Sequence, residues 1–239
     1  MYNNFQNEET IGKEYITEQA TRAFVAQVFG WMFGALLITA GIAFAFANIP
    51  SLTSILFDAA TAKPTAAFWI ATFSPIAVVM AVSIGLDRMS TALVASLYIL
   101  YSALLGVSLC VIFLAFDPLL IVKAFALTAG TFGIMAILGY TTKTDLTRFG
   151  SILMIGVFGI VVSMIINWFM HSSGFSYLID IACLVVFTGL VAFKMQQIKT
   201  IGQQVGTSRP KLAIWGALTL YITFINLFLT ILRLLGSRR

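Results

Sequence analysis

Charge is what this chain has least of. Only 10% of its 239 residues are Asp, Glu, Lys or Arg, against 60% hydrophobic, and its mean hydropathy is +0.99. Soluble domains carry about 25% charged residues. So few charges cannot furnish a water-facing surface, which excludes the soluble class and points to a membrane protein. Histidine occurs once, at His171, and cysteine twice, at Cys110 and Cys183. Both cysteines lie in apolar runs without a partner at metal-ligand spacing, so they read as small core residues rather than ligands or a disulfide. Nothing in the sequence calls for a metal or a cofactor. The net charge of +5, from 14 basic and 9 acidic residues, is small and scattered. It reads as loop topology and excludes a nucleic-acid patch.

What the chain has is long apolar runs. A helix needs roughly 20 mainly apolar residues to cross a bilayer core. Seven such segments can be cut, at about Ala23–Ala47, Ala66–Leu86, Thr91–Phe116, Leu119–Tyr140, Phe149–Met170, Tyr177–Lys199 and Leu212–Leu235. They are continuous rather than alternating, which argues against a strand barrel. Residues 1–22 form a polar N-terminal tail with Glu8, Glu9, Glu14 and Glu18. A cleaved signal would begin with a short basic region, so the first segment is expected to stay as a spanning helix. The breaks between segments are short, and residues 23–239 are expected to form one seven-helix domain. The tail and every second loop hold Lys13, Arg22, Arg88, Lys143, Arg148, Arg209 and Lys211, with Lys199 at the border. The opposite loops hold Lys63, with Lys123 just inside the fourth segment. Basic residues concentrate in cytoplasmic loops, so the N-terminus and its tail are expected in the cytoplasm. Seven full crossings then leave Arg238 and Arg239 outside, against that rule.

Some segments carry small or polar residues at helical spacing. Gly30 and Gly34 lie four apart in the first, and Gly156, Gly159, Ser163 and Asn167 recur at three- and four-residue steps in the fifth. Such faces let helices approach closely in lipid. Pro75 lies inside the second segment and is expected to kink it. The seventh segment carries Thr219, Thr223, Asn226, Thr230 and Arg233 at steps of four, three, four and three. These share one stripe of one helix. Against lipid the stripe would be costly, so it is expected to face protein or a water-filled cavity. Two readings stand: a central, pathway-lining helix, or hydroxyls bonded to their own backbone with Asn226 joining helices.

Enzymatic chemistry finds little support. Intramembrane proteolysis needs two membrane aspartates, a metal motif such as HExxH, or a serine–histidine pair. His171 falls in a loop and is not placed as a gate. A retinal-binding reading would put the lysine in the seventh segment with an acid counter-ion nearby; the intramembrane lysine here, Lys194, is in the sixth.

Three stretches resemble the Bax inhibitor-1 family, also called the transmembrane BAX inhibitor motif family, in its bacterial form. They are GYTTKTDLTRFG (Gly139–Gly150), FTGLVAFKMQQIK (Phe187–Lys199) and ALTLYITFINLFLTILRLLG (Ala217–Gly236). The resemblance implies an all-α bundle of seven transmembrane helices, the last central and surrounded by the other six, in a bacterial inner membrane. It also implies a pH-sensitive calcium leak, whose closed state rests on two facing aspartates in the sixth and seventh helices. Those aspartates fall in stretches like AYDTQKIK and LYLDFINLF. This chain reads AFKMQQIK and LYITFINLF there, so Lys194 and Thr223 replace them, while Gln196, Tyr221, Asn226 and Phe228 are kept.

Two paired carboxylates offer calcium hard oxygen ligands and can share a proton, which makes a pH gate. A lysine and a threonine take the local charge from as low as −2 to about +1. At 4 Å and an effective dielectric near 20, a unit pair is worth about 4 kcal/mol. The calcium dyad is therefore not carried over. Three outcomes remain: a cation leak ungated by this pair, a different lock between Lys194 and Asp145 or Asp87, or passage of anions, small solutes or nothing. Lys194 itself either snorkels to the interface or points into the bundle. The functional expectation is a leak channel with altered or absent calcium gating. The alternative is an interaction protein that modulates a membrane protease or another membrane partner.

Overall fold

The computed structural model describes residues 2–58, 61, 63–205 and 209–237, with side chains described from residue 18 onward, that of residue 205 excepted. Among these the chain folds into α1 (Tyr2–Asn48), α2 (Pro50–Leu56), α3 (Ala66–Gly85), α4 (Thr91–Ala115), α5 (Pro118–Thr141), α6 (Thr147–Met170), α7 (Ser173–Val205) and α8 (Pro210–Gly236). Seven of these helices are long and apolar enough to cross a bilayer, and each coincides with one expected segment, those at α3 and α4 overrunning the helix by one residue. The sixth and seventh segments of the sequence are α7 and α8. From Tyr2 the polar tail is helical backbone within α1, and its side chains up to residue 17 lie outside the described residues.

Local chemistry sets the helix ends. Ser90 caps α4 by accepting from the Leu93 amide at 3.2 Å, and Asp117 caps α5 by accepting from the Leu119 amide at 2.8 Å. Pro50, Pro118 and Pro210 open α2, α5 and α8, where a missing amide hydrogen costs nothing. The short helix α2 falls where the sequence showed only a break. It returns toward α3 through a single bridge between Phe57 and Pro64. His171 ends α6 in the left-handed region, at φ 51°.

α8 is the central helix, with 61% of its apolar stretch buried against 11–39% in the other spans. Lipid gives no hydrophobic force between helices, so this burial rests on shape and aromatic packing. α8 packs on α1, α4, α5 and α7. Tyr221 meets Tyr98 and Tyr101 of α4 edge-on, and Phe224 meets Phe125 and Phe132 of α5. The Tyr221 hydroxyl pairs with Thr39 of α1 at 2.5 Å, and the same Thr39 hydroxyl reaches the Ser102 carbonyl at 2.9 Å. The expectation that all six other spans surround the last one is corrected. α3 packs on α4, and α6 packs on α7, so those two form an outer layer. Their exposed residues, such as Ile84, Phe158 and Trp168, suit a lipid-facing role.

Close backbone approaches locate the remaining seams. A Cβ added at Gly139 would run into the Ala192 backbone, so α5 and α7 touch there through glycine. Gly156 of α6 sits against Val186 of α7. Gly30, Gly34 and Gly159 have nothing within 4 Å of such a Cβ, so these members of the small-residue faces make no close packing within the chain. Cys110 and Cys183 are buried free thiols, as small core residues.

Candidate functional site

The polar stripe of α8 turns toward α7. Near the C-terminal end of α8, Arg233 donates from Nε to Asp180 Oδ1 of α7 at 2.8 Å. The Asp180 side chain is 11% exposed and that of Arg233 42%, so the carboxylate is held within protein while the guanidinium reaches the surface. One turn inward, Thr230 lies beside Cys183, and both are buried. The pattern follows from helix geometry. Asp180 and Cys183 are three apart on α7, Thr230 and Arg233 three apart on α8, and the two helices run antiparallel. Asp180 is the stripe's ion-pair partner that sequence reading passed over. It sits near one end of an apolar run, where a charge looks like a boundary.

The middle of the stripe is satisfied internally. Thr219, Thr223 and Thr230 donate from Oγ1 to the carbonyls of Gly216, Thr219 and Asn226 at 2.8–2.9 Å. Asn226 donates from Nδ2 to the Ile222 carbonyl at 2.8 Å. The stripe lies on a central helix with Thr223 and Thr230 buried and Thr219, Asn226 and Arg233 half-buried, and its hydroxyls bond their own backbone. Asn226 also bonds within its own helix rather than across to a neighbour. Thr223 and Thr230 are 5% and 1% exposed, so the seam is closed at those levels.

Lys194 lies toward the other end. Along α7 it is 14 residues from Asp180, about 21 Å. Along α8, Thr223 is 10 residues from Arg233, about 15 Å. With the ion pair fixing the register, Lys194 falls roughly one turn beyond Thr223. Its Nζ lies 3.5 Å from Gln197 Oε1 and 5.5 Å from the centre of the Phe193 ring. Gln197 is three residues further along, so the half-buried amine leans toward the C-terminal end of α7. The structure does not bring Asp145 or Asp87 to it. Asp145 Oδ1 accepts from the Thr147 amide at 2.9 Å and the Thr147 hydroxyl at 2.6 Å. Those bonds, with help from nearby Arg148, hold the Asp145 carboxyl below its ordinary range. Asp87 offers its backbone carbonyl to Lys211 at 3.2 Å. Among the described residues no carboxylate lies within ion-pair distance of Lys194.

The same end is fastened by Gln196, which the sequence offered only as a motif residue, and by Lys199 and Lys211, which it offered as basic residues of the loops. Gln196 accepts at Oε1 from the Leu146 amide and donates from Nε2 to the Thr144 carbonyl, both at 2.8 Å, clamping the α5–α6 loop. Lys199 donates to the Tyr140 carbonyl at 2.7 Å, and Lys211 to the Leu86 carbonyl at 3.1 Å. Both lysines reach helix C-termini, where unpaired carbonyls favour a cation. Among the described residues no three His, Cys, Asp or Glu side chains gather as metal ligands.

Comparison with known proteins decides the kinship. A family profile described as "Inhibitor of apoptosis-promoting Bax1" matches residues 21–239, which takes in all seven spans. The chain belongs to the Bax inhibitor family. Among its relatives is the inner membrane protein YbhL of Escherichia coli K12, 37% identical over 223 residues, covering 91% of this chain and 93% of YbhL. A protein of Borreliella burgdorferi is 39% identical over 219 residues, 90% of this chain and 92% of its own. The protein RP147 of Rickettsia prowazekii is 32% identical over 232 residues, 96% of each. In this family member, then, the α7–α8 seam carries an ion pair at one end and an unpaired lysine at the other.

Proposed function

We propose that this Bax inhibitor family protein is an ion leak channel of a bacterial inner membrane, with its N-terminus in the cytoplasm and its route along the α7–α8 seam. One observation carries the reading: on the central helix two stripe hydroxyls, Thr223 and Thr230, are buried, and Arg233 meets Asp180 of α7. Intramembrane ionisable residues that face protein are costly and commonly mark substrate or ion pathways. The seam is closed in this conformation, and the Asp180–Arg233 pair is its lock at the outer end.

Calcium is the ion that kinship suggests, but paired carboxylates do not gate it here. Lys194 and Thr223 stand at the aligned positions, and a cation at 194 repels calcium instead of binding it. The reading therefore keeps a route and removes its acid-sensitive site. It involves no bond-making chemistry. Seven basic side chains lie in the tail and alternate loops, which supports the cytoplasmic N-terminus.

Calcium-dye flux into proteoliposomes tests the proposal. The purified chain should admit calcium faster than empty liposomes, at a rate that changes little between pH 6 and 8. No entry above the empty control anywhere in that range would remove the calcium channel and leave the interaction reading in its place.

A further inference from the structure

At the end of the bundle that gathers the basic loops, a polar cavity of about 520 Å³ opens between the α5–α6 loop, α7 and the start of α8. Lys143, Lys199, Asp145, Thr147, Gln197 and Trp215 are among its walls. Lys194 stands near it, since Phe193 and Gln197, whose ring and Oε1 lie 5.5 Å and 3.5 Å from its ammonium, line the cavity. Two ammonium groups, Lys143 and Lys199, thus line a space that holds one carboxylate, and a third stands nearby. That carboxylate is already engaged, since Asp145 Oδ1 accepts two hydrogen bonds from Thr147.

The lysines keep donors to spare. An ammonium has three hydrogens. Lys199 spends one on the Tyr140 carbonyl, and Lys194 has only the long 3.5 Å contact to Gln197. Lys143 is exposed. The glutamine clamp on Thr144 and Leu146 holds the loop that carries Lys143 at a fixed distance from α7, so the cavity is built rather than incidental. Trp215 sits at the start of a spanning helix, where tryptophan meets the headgroup layer. A volume of several hundred Å³, positive charge and headgroup depth together specify a ligand with a phosphate head and an apolar body.

We propose that this cavity binds a phosphate group, with the headgroup of an anionic phospholipid as its source. This inference is independent of ion conduction.

The test uses the full chain, purified and delipidated. Native mass spectrometry and thermal unfolding are run with phosphatidylglycerol, with phosphatidylcholine of the same acyl chains, and with inorganic phosphate. Phosphatidylglycerol should be retained about tenfold or more over phosphatidylcholine. Lys143→Gln and Lys199→Gln should each lower that retention by about fivefold, from roughly 1 kcal/mol per lysine at an anionic surface. Lys63→Gln, on the opposite end, should leave it unchanged. Should Lys199→Gln fail to fold for want of its Tyr140 contact, the exposed Lys143→Gln carries the same prediction. Stabilisation by inorganic phosphate, with competition against the lipid, would support the phosphate site with a soluble source. Equal retention of the two lipids without a phosphate effect, or losses that Lys63→Gln reproduces, would overturn it.

Discussion

Asp180 is the residue on which its end of the α7–α8 seam depends. Its side chain is nearly enclosed, and its one ion-pair partner among the described residues is Arg233. An exposed pair contributes about 0–1 kcal/mol, whereas breaking a buried one costs about 3–5. Arg233 is 42% exposed, which places Asp180→Asn between these limits, at roughly 1–3 kcal/mol. Thermal unfolding in detergent should register that loss, and proteoliposomes of the variant should leak faster than the parent. A variant with unchanged unfolding and unchanged leak would show that the pair locks nothing. Sequence reading reached Arg233, because a step of three from Thr230 puts it on the stripe. It did not reach Asp180, since register between helices is set by packing and is not written in the spacing of either one. For the same reason Lys194 stood between two readings: its depth along α7 was legible, whereas the direction of its amine rests on Gln197 and Phe193.

At the scale of elements, glycine separates seams that are packed from faces that are bare. Gly139 lies against the Ala192 backbone, and no side-chain rotation relieves a Cβ placed there. Gly139→Ala should force α5 from α7 and cost about 1–3 kcal/mol. Gly34→Ala meets nothing within 4 Å and replaces a poor helix former by a good one, so it should be neutral or stabilising by up to about 1 kcal/mol. Unfolding midpoints of the two variants check this, and a Gly34→Ala loss as large as that of Gly139→Ala would contradict it. The glycine spacing in α1 and α6 suggested tight packing for all of them. Spacing reveals which residues share a face, but not whether another helix covers that face. The spans were legible for a simpler reason. A bilayer imposes a length and an apolar composition, and seven runs satisfied both. The helix α2 was not, because seven residues with one proline at the start leave no periodic signature.

Across the whole molecule, α8 is enclosed by α1, α4, α5 and α7, while α3 and α6 stand outside. The inward stripe made a central last helix readable, and the arrangement of its walls came from packing alone. Each end of the α7–α8 seam now has its own chemistry: an ion pair at one and lysines around a polar cavity at the other. The central claim is that the family's route persists while its carboxylate gate is missing. Calcium-dye flux through the Lys194→Asp, Thr223→Asp double variant in proteoliposomes tests this most directly, measured beside the parent chain from pH 6 to 8. The account predicts a calcium flux that responds to acid in the double variant and a flat profile in the parent. A double variant that folds but matches the parent in rate and pH profile would contradict it.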